Sequence, residues 1–154
     1  MRTVDTITIA APLATVWPLA VQVEQWPEIL PHYRWVTRLE GARGGDGVVE
    51  MAAWRPFGGP LRWPTWWSSR MWIDEGKHEI RYHHMAGITR GMDVVWSVTS
   101  SDHGTTITIV HEWRGPRWPL IGGVAASMVI GPVFIHGIAS RTLAGVARAA
   151  ERAP

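Results

Sequence analysis

The chain of 154 residues contains no cysteine. It therefore offers no disulfide, no thiolate nucleophile and no cysteine ligand for zinc or an iron–sulfur cluster. Lysine is almost as scarce, because Lys77 is the only one and arginine supplies the other fourteen basic side chains. These side chains are spread along the chain, and the formal net charge is only +2. This distribution argues against a nucleic-acid-binding surface.

The chain also lacks the motifs of nucleotide- and metal-dependent enzymes. No G-x-S-x-G, Walker or G-x-G-x-x-G pattern occurs, and the glycine-rich residues 41–47 lie between two predicted strands. His83 and His84 are adjacent on a predicted strand and point to opposite faces, so they cannot bind one ion together. We expect neither a metal nor a cofactor.

The first residues alternate and do not form the apolar segment of a signal peptide, so we expect no signal peptide and a cytoplasmic protein. The longest stretch that is poor in charge is 120–139, where His136 is the only titratable residue. Its length would allow a membrane span. However, it contains four glycines and Pro132, and it continues without a break towards Arg141. We therefore favour a long helix packed against an apolar wall.

Alternation and turn signals predict one antiparallel sheet. A half-buried strand at 4–10 is followed by two short helices, one limited by Pro18 and the other bracketed by Pro27 and Pro31. Short connections with glycine then indicate hairpins between neighbouring strands. Six such strands are predicted, at 33–40, 48–54, 61–74, 78–85, 92–101 and 105–113.

From residue 120 onwards, the apolar residues recur at the spacing of an α-helix. A long helix that returns across an antiparallel sheet either packs flat on it or is wrapped by it around a cavity. The many small residues of this helix and the rigid tryptophans of the strands favour a cavity. We therefore predict a single α+β domain over 1–154, with a curved sheet of about seven strands around a long C-terminal helix. The buried stripe of that helix is predicted to be Ile135, Ala139, Leu143, Val146 and Ala150.

Three motifs span essentially the whole chain. They are the opening Ile7-Thr-Ile-Ala-Ala-Pro12 with Glu24-x-Trp26-Pro27, the strand Trp66-Trp-Ser68-Ser-Arg70, and Arg141-Thr-Leu143-x7-Glu151 near the end. Together they resemble the START-like, helix-grip superfamily, in its polyketide cyclase/dehydrase branch. The resemblance implies the helix-grip fold. It is less specific for chemistry, because cyclases, lipid carriers and stress proteins share this scaffold.

The first candidate catalytic residue is Arg70. Alternation places it on one strand face with Trp66, Ser68 and Trp72. If that face is inward, a buried guanidinium would bind a carbonyl, enolate or carboxylate. If it is outward, Arg70 stacks on a surface tryptophan or pairs with a nearby carboxylate. The strand resembles the one that carries the pocket arginine of aromatase/cyclases, which favours the inward orientation.

The second candidate is Tyr33, which matches a pocket tyrosine of the cyclases. That resemblance implies proton donation or shuttling, a role that suits a hydrogen-bonded phenol. The alternative is a tyrosine at the rim that only packs against Trp26. We expect the ligand to contact Trp26, Trp66, Ser68, Trp96, His111, Trp113 and Phe134.

Eleven tryptophans are an unusual number for this length. Many can fill the core, but Trp63, Trp66, Trp67 and Trp72 occupy both faces of one strand. One sheet with a solvated outer face cannot bury all four. The remainder are exposed, or they contact a second copy or a membrane surface.

Two functions follow. The first is an aromatase/cyclase-like enzyme without cofactor that folds a poly-β-ketone, supplied by an acyl carrier protein, and promotes aldol cyclisation or dehydration. The second is a non-catalytic protein that binds a lipid, isoprenoid or quinone. The apolar residues 120–139, and the lack of an acid–base pair beyond tyrosine and histidine, favour the second.

Overall fold

In a computed structural model that describes residues 1–56, 62–115 and 131–153, seven strands form one curved antiparallel sheet. The spatial order is β1-β7-β6-β5-β4-β3-β2. Strands β2 to β7 each pair with the next strand in the sequence, and β1 pairs with β7. The predicted sheet is confirmed. The strands are β1 (Arg2–Ile9), β2 (Tyr33–Glu40), β3 (Gly47–Pro56), β4 (Arg62–Asp74), β5 (Glu79–Gly87), β6 (Asp93–Ser101) and β7 (Gly104–Glu112).

Two short helices follow β1, as predicted. α1 (Leu13–Val21) begins after Pro12 and continues through Pro18, so this proline does not end the helix. A 3-10 turn (Val23–Gln25) leads directly into α2 (Trp26–Ile29). The apolar side chains of this region are buried in the main core, so the two helices pack against the inner side of the curved sheet.

The C-terminal helix α3 (Gly131–Arg152) packs mainly against β1 and α1. Residues 116–130, which include most of the apolar stretch before it, lie outside the described part of the chain. Arg141, Arg148 and Arg152 are exposed on the opposite side of the helix from its buried stripe. The predicted stripe is buried at every position: Ile135, Ala139, Leu143, Val146 and Ala150.

The inner face of β4 carries Trp67, Ser69 and Met71, whereas Arg70 points outward. Pairing agrees with this orientation, because Ser69 lies opposite Val49 of the main core, whereas Arg70 lies opposite Val48, which is not part of that core. The inward orientation predicted for Arg70 and Trp66 is therefore wrong. Alternation alone could not decide between the faces, since both carry tryptophan.

The pairing of β4 with β5 shifts between Ser68 and Ser69, because Met85 of β5 is an extra residue without a partner on β4. Gly87 of β5 lies close to this bulge. It has φ +90°, and a Cβ there would lie 2.2 Å from the carbonyl oxygen of Trp66. Only glycine accepts both that conformation and that approach.

Candidate functional site

A cavity of about 70 Å³ lies between the concave face of the sheet and α3. Aliphatic side chains from both layers bound it, with Ile135, Ile138 and Ala139 contributed by the first turns of α3. Met51 and Met92 contribute flexible thioethers from the opposite wall. The rest of the wall is largely aromatic: Trp26, Tyr33, Trp67, Tyr82 and Trp96.

The aromatic side chains contact one another. The Trp26 ring stacks on Trp96 at 5.4 Å between centroids and meets Tyr33 edge-on at 5.2 Å. The Trp26 indole N–H donates to the Leu19 carbonyl oxygen at 2.9 Å. Because that N–H has a partner within the protein, the ring presents only apolar surface to the cavity.

Tyr33 lies in the cavity wall at the beginning of β2 and is buried. Burial raises the pKa of its phenol above the ordinary value, and a hydrogen bond with Thr142 of α3 partly opposes that rise. The Thr142 hydroxyl donates to the Ile138 carbonyl oxygen at 2.9 Å and lies 3.0 Å from His32 Nε2. Tyr33 is therefore a protonated phenol in the cavity wall, near a polar side chain of the helix.

Two buried histidines contribute imidazoles to the same wall. His84 Nδ1 lies 2.5 Å from the Thr89 hydroxyl, and His111 Nδ1 lies 3.3 Å from the Thr3 hydroxyl. Burial lowers the pKa of His84 to about 3 and that of His111 to about 4. Both rings are therefore neutral at physiological pH. The neighbouring His83 lies on the other face, exposed, with Asp93 as its partner at 2.7 Å.

Tyr82, on β5, is a cavity residue that the sequence reasoning did not single out. Its side chain is 5% exposed, and within the described residues its hydroxyl has no hydrogen-bond partner. Burial, the largest effect, raises its pKa well above the ordinary value. The sequence could have identified it, because Tyr82 alternates in phase with Ile80 and His84 and all three share the inner face of the strand.

The buried arginine on this side of the sheet is Arg38 of β2. Its side chain is 7% exposed and forms an ion pair with Glu24 of the 3-10 turn, which is 12% exposed. Its Nη1 donates to the Gly45 carbonyl oxygen at 3.0 Å. The pair lies outside the cavity lining. Within the described chain, no Asp, Glu, Lys or Arg side chain lines the cavity.

The structure brings some of the predicted site residues together and separates others. Tyr33, Trp26, Trp96 and His111 all line the cavity. Trp113 is buried outside the lining, and its indole N–H donates to the Arg90 carbonyl oxygen at 3.0 Å. Ser68 is also buried without lining the cavity, and the side chain of Phe134 lies outside the described part of the structure.

Arg70 is on the outer face, 44% exposed, and its Nη2 lies 3.6 Å from Glu40 Oε2. It therefore does not contact a ligand in the cavity. Trp66 and Trp72 on the same face are 39% and 43% exposed. These two tryptophans are therefore exposed, as the first alternative predicts, and a contact of theirs with a second copy or a membrane surface stays a prediction.

Among the described residues, no group of three or more His, Asp or Glu side chains could hold a metal ion. The described helices include none that is long and apolar enough to cross a membrane.

Comparison with known proteins identifies the family. The sequence model of the family described as polyketide cyclase/dehydrase and lipid transport matches residues 9–133. The chain belongs to this family. A putative polyketide cyclase of Streptomyces halstedii is 32% identical over 104 residues, which cover 67% of this chain and 92% of that protein.

Solved structures share the fold of this family member. The Zhui aromatase/cyclase of Streptomyces sp. R1128 superposes with a TM-score of 0.83 at 22% identity, over 99% of this chain and 94% of that one. The protein TTHA0849 of Thermus thermophilus superposes with a TM-score of 0.79 at 15% identity, over 97% of each chain. The predicted helix-grip fold and its polyketide cyclase branch are confirmed.

Proposed function

We propose that this polyketide cyclase family member binds a polyketide-like, largely apolar molecule in the cavity and promotes its aldol cyclisation and dehydration. The observation that carries the proposal is the cavity itself, an aromatic wall interrupted by buried phenols and imidazoles. Aromatic side chains fit flat, partly conjugated ligands, and the few polar groups set their orientation. The likeness to a putative polyketide cyclase supports the substrate class.

Aldol chemistry needs a group that receives a proton and a group that gives one. A proton leaves the carbon between two ketones, the resulting enolate attacks another carbonyl carbon, and the new alkoxide is protonated before water is lost. Tyr33, a buried protonated phenol, can donate to the oxygen on which negative charge develops. His84 and His111, which are neutral, can accept the proton from carbon. Arg70 has no part in this scheme.

The cavity must widen to hold such a ligand. Its volume of about 70 Å³ is less than half of the roughly 150 Å³ that hold benzene in an engineered protein core. Met51 and Met92 are the lining side chains that can change shape most easily. We therefore expect ligand binding to displace side chains of the wall.

Reconstitution tests the proposed activity. A ketosynthase and an acyl carrier protein would supply a poly-β-ketone chain, and chromatography with mass spectrometry would quantify the cyclised products with and without this protein. We expect one cyclised and dehydrated product to form faster with the protein. Removing a general acid typically costs on the order of a hundredfold or more. Tyr33→Phe should therefore slow formation by about that factor, whereas Arg70→Ala, on the outer face, should not.

A non-catalytic carrier is the second candidate function. It is favoured by the absence of charged side chains from the described lining and by the low pKa of both lining histidines, which makes them weak bases. For a carrier, the products and their rates would be the same with and without the protein. Native mass spectrometry would then show an apolar molecule retained by the purified chain.

A further inference from the structure

The Tyr82 hydroxyl differs from the imidazoles and the Thr142 hydroxyl of the cavity wall. His84 has Thr89 as its partner, His111 has Thr3, and Thr142 donates to the Ile138 carbonyl oxygen. The Tyr82 hydroxyl is buried, with almost no surface open to the cavity, and it has no partner among the described residues. The Tyr82 side chain lines the cavity, so a ligand that displaces side chains of the wall would expose the hydroxyl. An unpaired buried hydroxyl destabilises a folded protein, so its presence in a cavity wall points to a ligand.

The electrostatic surroundings of Tyr82 keep its proton in place. Burial and the neighbouring Tyr33 both raise its pKa, the positive charge of Arg38 lowers it, and the negative charge of Glu24 raises it. Because Arg38 and Glu24 form an ion pair, their effects oppose each other. Tyr82 therefore offers a neutral O–H donor, and the cation that acts on it within the described residues, Arg38, is already paired with Glu24.

We propose that Tyr82 donates a hydrogen bond to a carbonyl oxygen of the ligand, so that the cavity selects neutral ketones over hydrocarbons and carboxylates of the same size. This inference rests on the proposed function, since it assumes that the cavity admits a polyketide-like molecule. A hydrocarbon leaves the hydroxyl unpaired. A carboxylate loses its hydration without gaining a cationic partner in the described lining.

Three probes of similar size and shape test the selection: 2-acetylnaphthalene, 2-ethylnaphthalene and 2-naphthoate. Binding to the full chain can be followed through the fluorescence of the cavity tryptophans. We expect the wild-type protein to bind the ketone most tightly and the carboxylate most weakly. Since one neutral hydrogen bond contributes modestly, Tyr82→Phe should weaken ketone binding roughly three- to tenfold. It should leave hydrocarbon binding within about twofold of the wild type.

Thermal unfolding separates a role in ligand binding from a role in the fold. Tyr82→Phe should keep or raise the Tm, because the hydroxyl that it removes has no partner in the described protein. Thr105→Val is the control, since it removes a buried hydroxyl that does have a partner, the Ala11 carbonyl oxygen at 2.7 Å, and it should lower the Tm.

Contrary outcomes are distinguishable. A lower Tm for Tyr82→Phe, equal losses of ketone and hydrocarbon binding, or tighter binding of 2-naphthoate than of the ketone would each overturn the role of Tyr82. None of these would affect the proposed function. If the wild-type protein binds none of the probes, the proposed ligand class and the role of Tyr82 both fail.

Discussion

Two arginines of the sheet illustrate how a residue's surroundings decide its role. Arg70 lies on the outer face, where it and Glu40 are both well exposed and 3.6 Å apart. Solvent screens such pairs, and they typically contribute less than about 1 kcal/mol. Arg70→Ala should therefore change the free energy of unfolding, measured in urea, by less than about 1 kcal/mol, and it should leave probe binding unchanged.

Arg38 is the matched comparison within the same sheet. Its side chain and that of Glu24 are almost fully buried, and each is the charged partner of the other. Arg38→Ala would leave the Glu24 carboxylate buried without its partner, which typically costs about 3–5 kcal/mol. If both variants lose the same stability, the difference in burial does not govern these two pairs.

The contrast between Arg70 and Tyr33 also shows what the sequence could predict about the site. Tyr33 follows a proline-bracketed helix whose motif resembles the family, so its place in the wall was predictable. The orientation of Arg70 was not, because β4 carries tryptophan on both faces, and the inner face is identified by the packing of Trp67 and Met71 in the core. The unpartnered hydroxyl of Tyr82 depends on contacts between distant strands, which no local pattern contains.

At the scale of elements, α3 packs closely against α2 at one glycine. A Cβ on Gly145 would lie 2.2 Å from Leu30 Cδ2, and Leu30 is fully buried. Alanine favours a helix by about 1 kcal/mol over glycine, but overpacking a core typically costs about 1–3 kcal/mol. We expect Gly145→Ala to lower the free energy of unfolding by up to about 2 kcal/mol.

Gly137 of the same helix supplies the control. Within the described part of the chain, a Cβ there would contact nothing within 4 Å, so Gly137→Ala should gain the helix preference alone and stabilise the protein by up to about 1 kcal/mol. Opposite signs in urea denaturation would support close packing of α3 on α2. Equal stabilisation by both substitutions would show that Leu30 moves aside without cost.

For the molecule as a whole, the order of strands and helices was predictable because its signals are local. Turns rich in glycine separate alternating strands, and most predicted strand ends lie within one or two residues of the observed ones. The apolar stripe of α3 fixed which side of the helix faces the sheet. The cavity volume depends instead on how side chains from seven strands and the helix fit together, so the sequence indicated a cavity but not its size.

The stability of the whole molecule should depend on pH through three buried histidines. Burial lowers the pKa of His32 and His111 to about 4 and that of His84 to about 3, from an ordinary value of 6.5. Below about pH 6.5 the unfolded chain binds protons that the folded chain does not bind. Stability is therefore full above that pH and is lost as the pH falls towards 4. Each histidine contributes at most roughly 1.4 kcal/mol per pH unit.

Urea denaturation between pH 5 and 6.5 measures the slope of the free energy of unfolding against pH. This range lies above the pH at which most carboxylates titrate. His84→Gln should reduce the slope, because it removes one buried group that the unfolded chain would protonate. The adjacent His83 is exposed and paired with Asp93, so His83→Gln should leave most of the slope in place. A flat stability profile in the wild type, or equal slopes in the two variants, would mean that the interior histidines take up protons in the folded state. In that case the cavity would carry positive charge at mildly acidic pH, and it would no longer favour neutral ligands there.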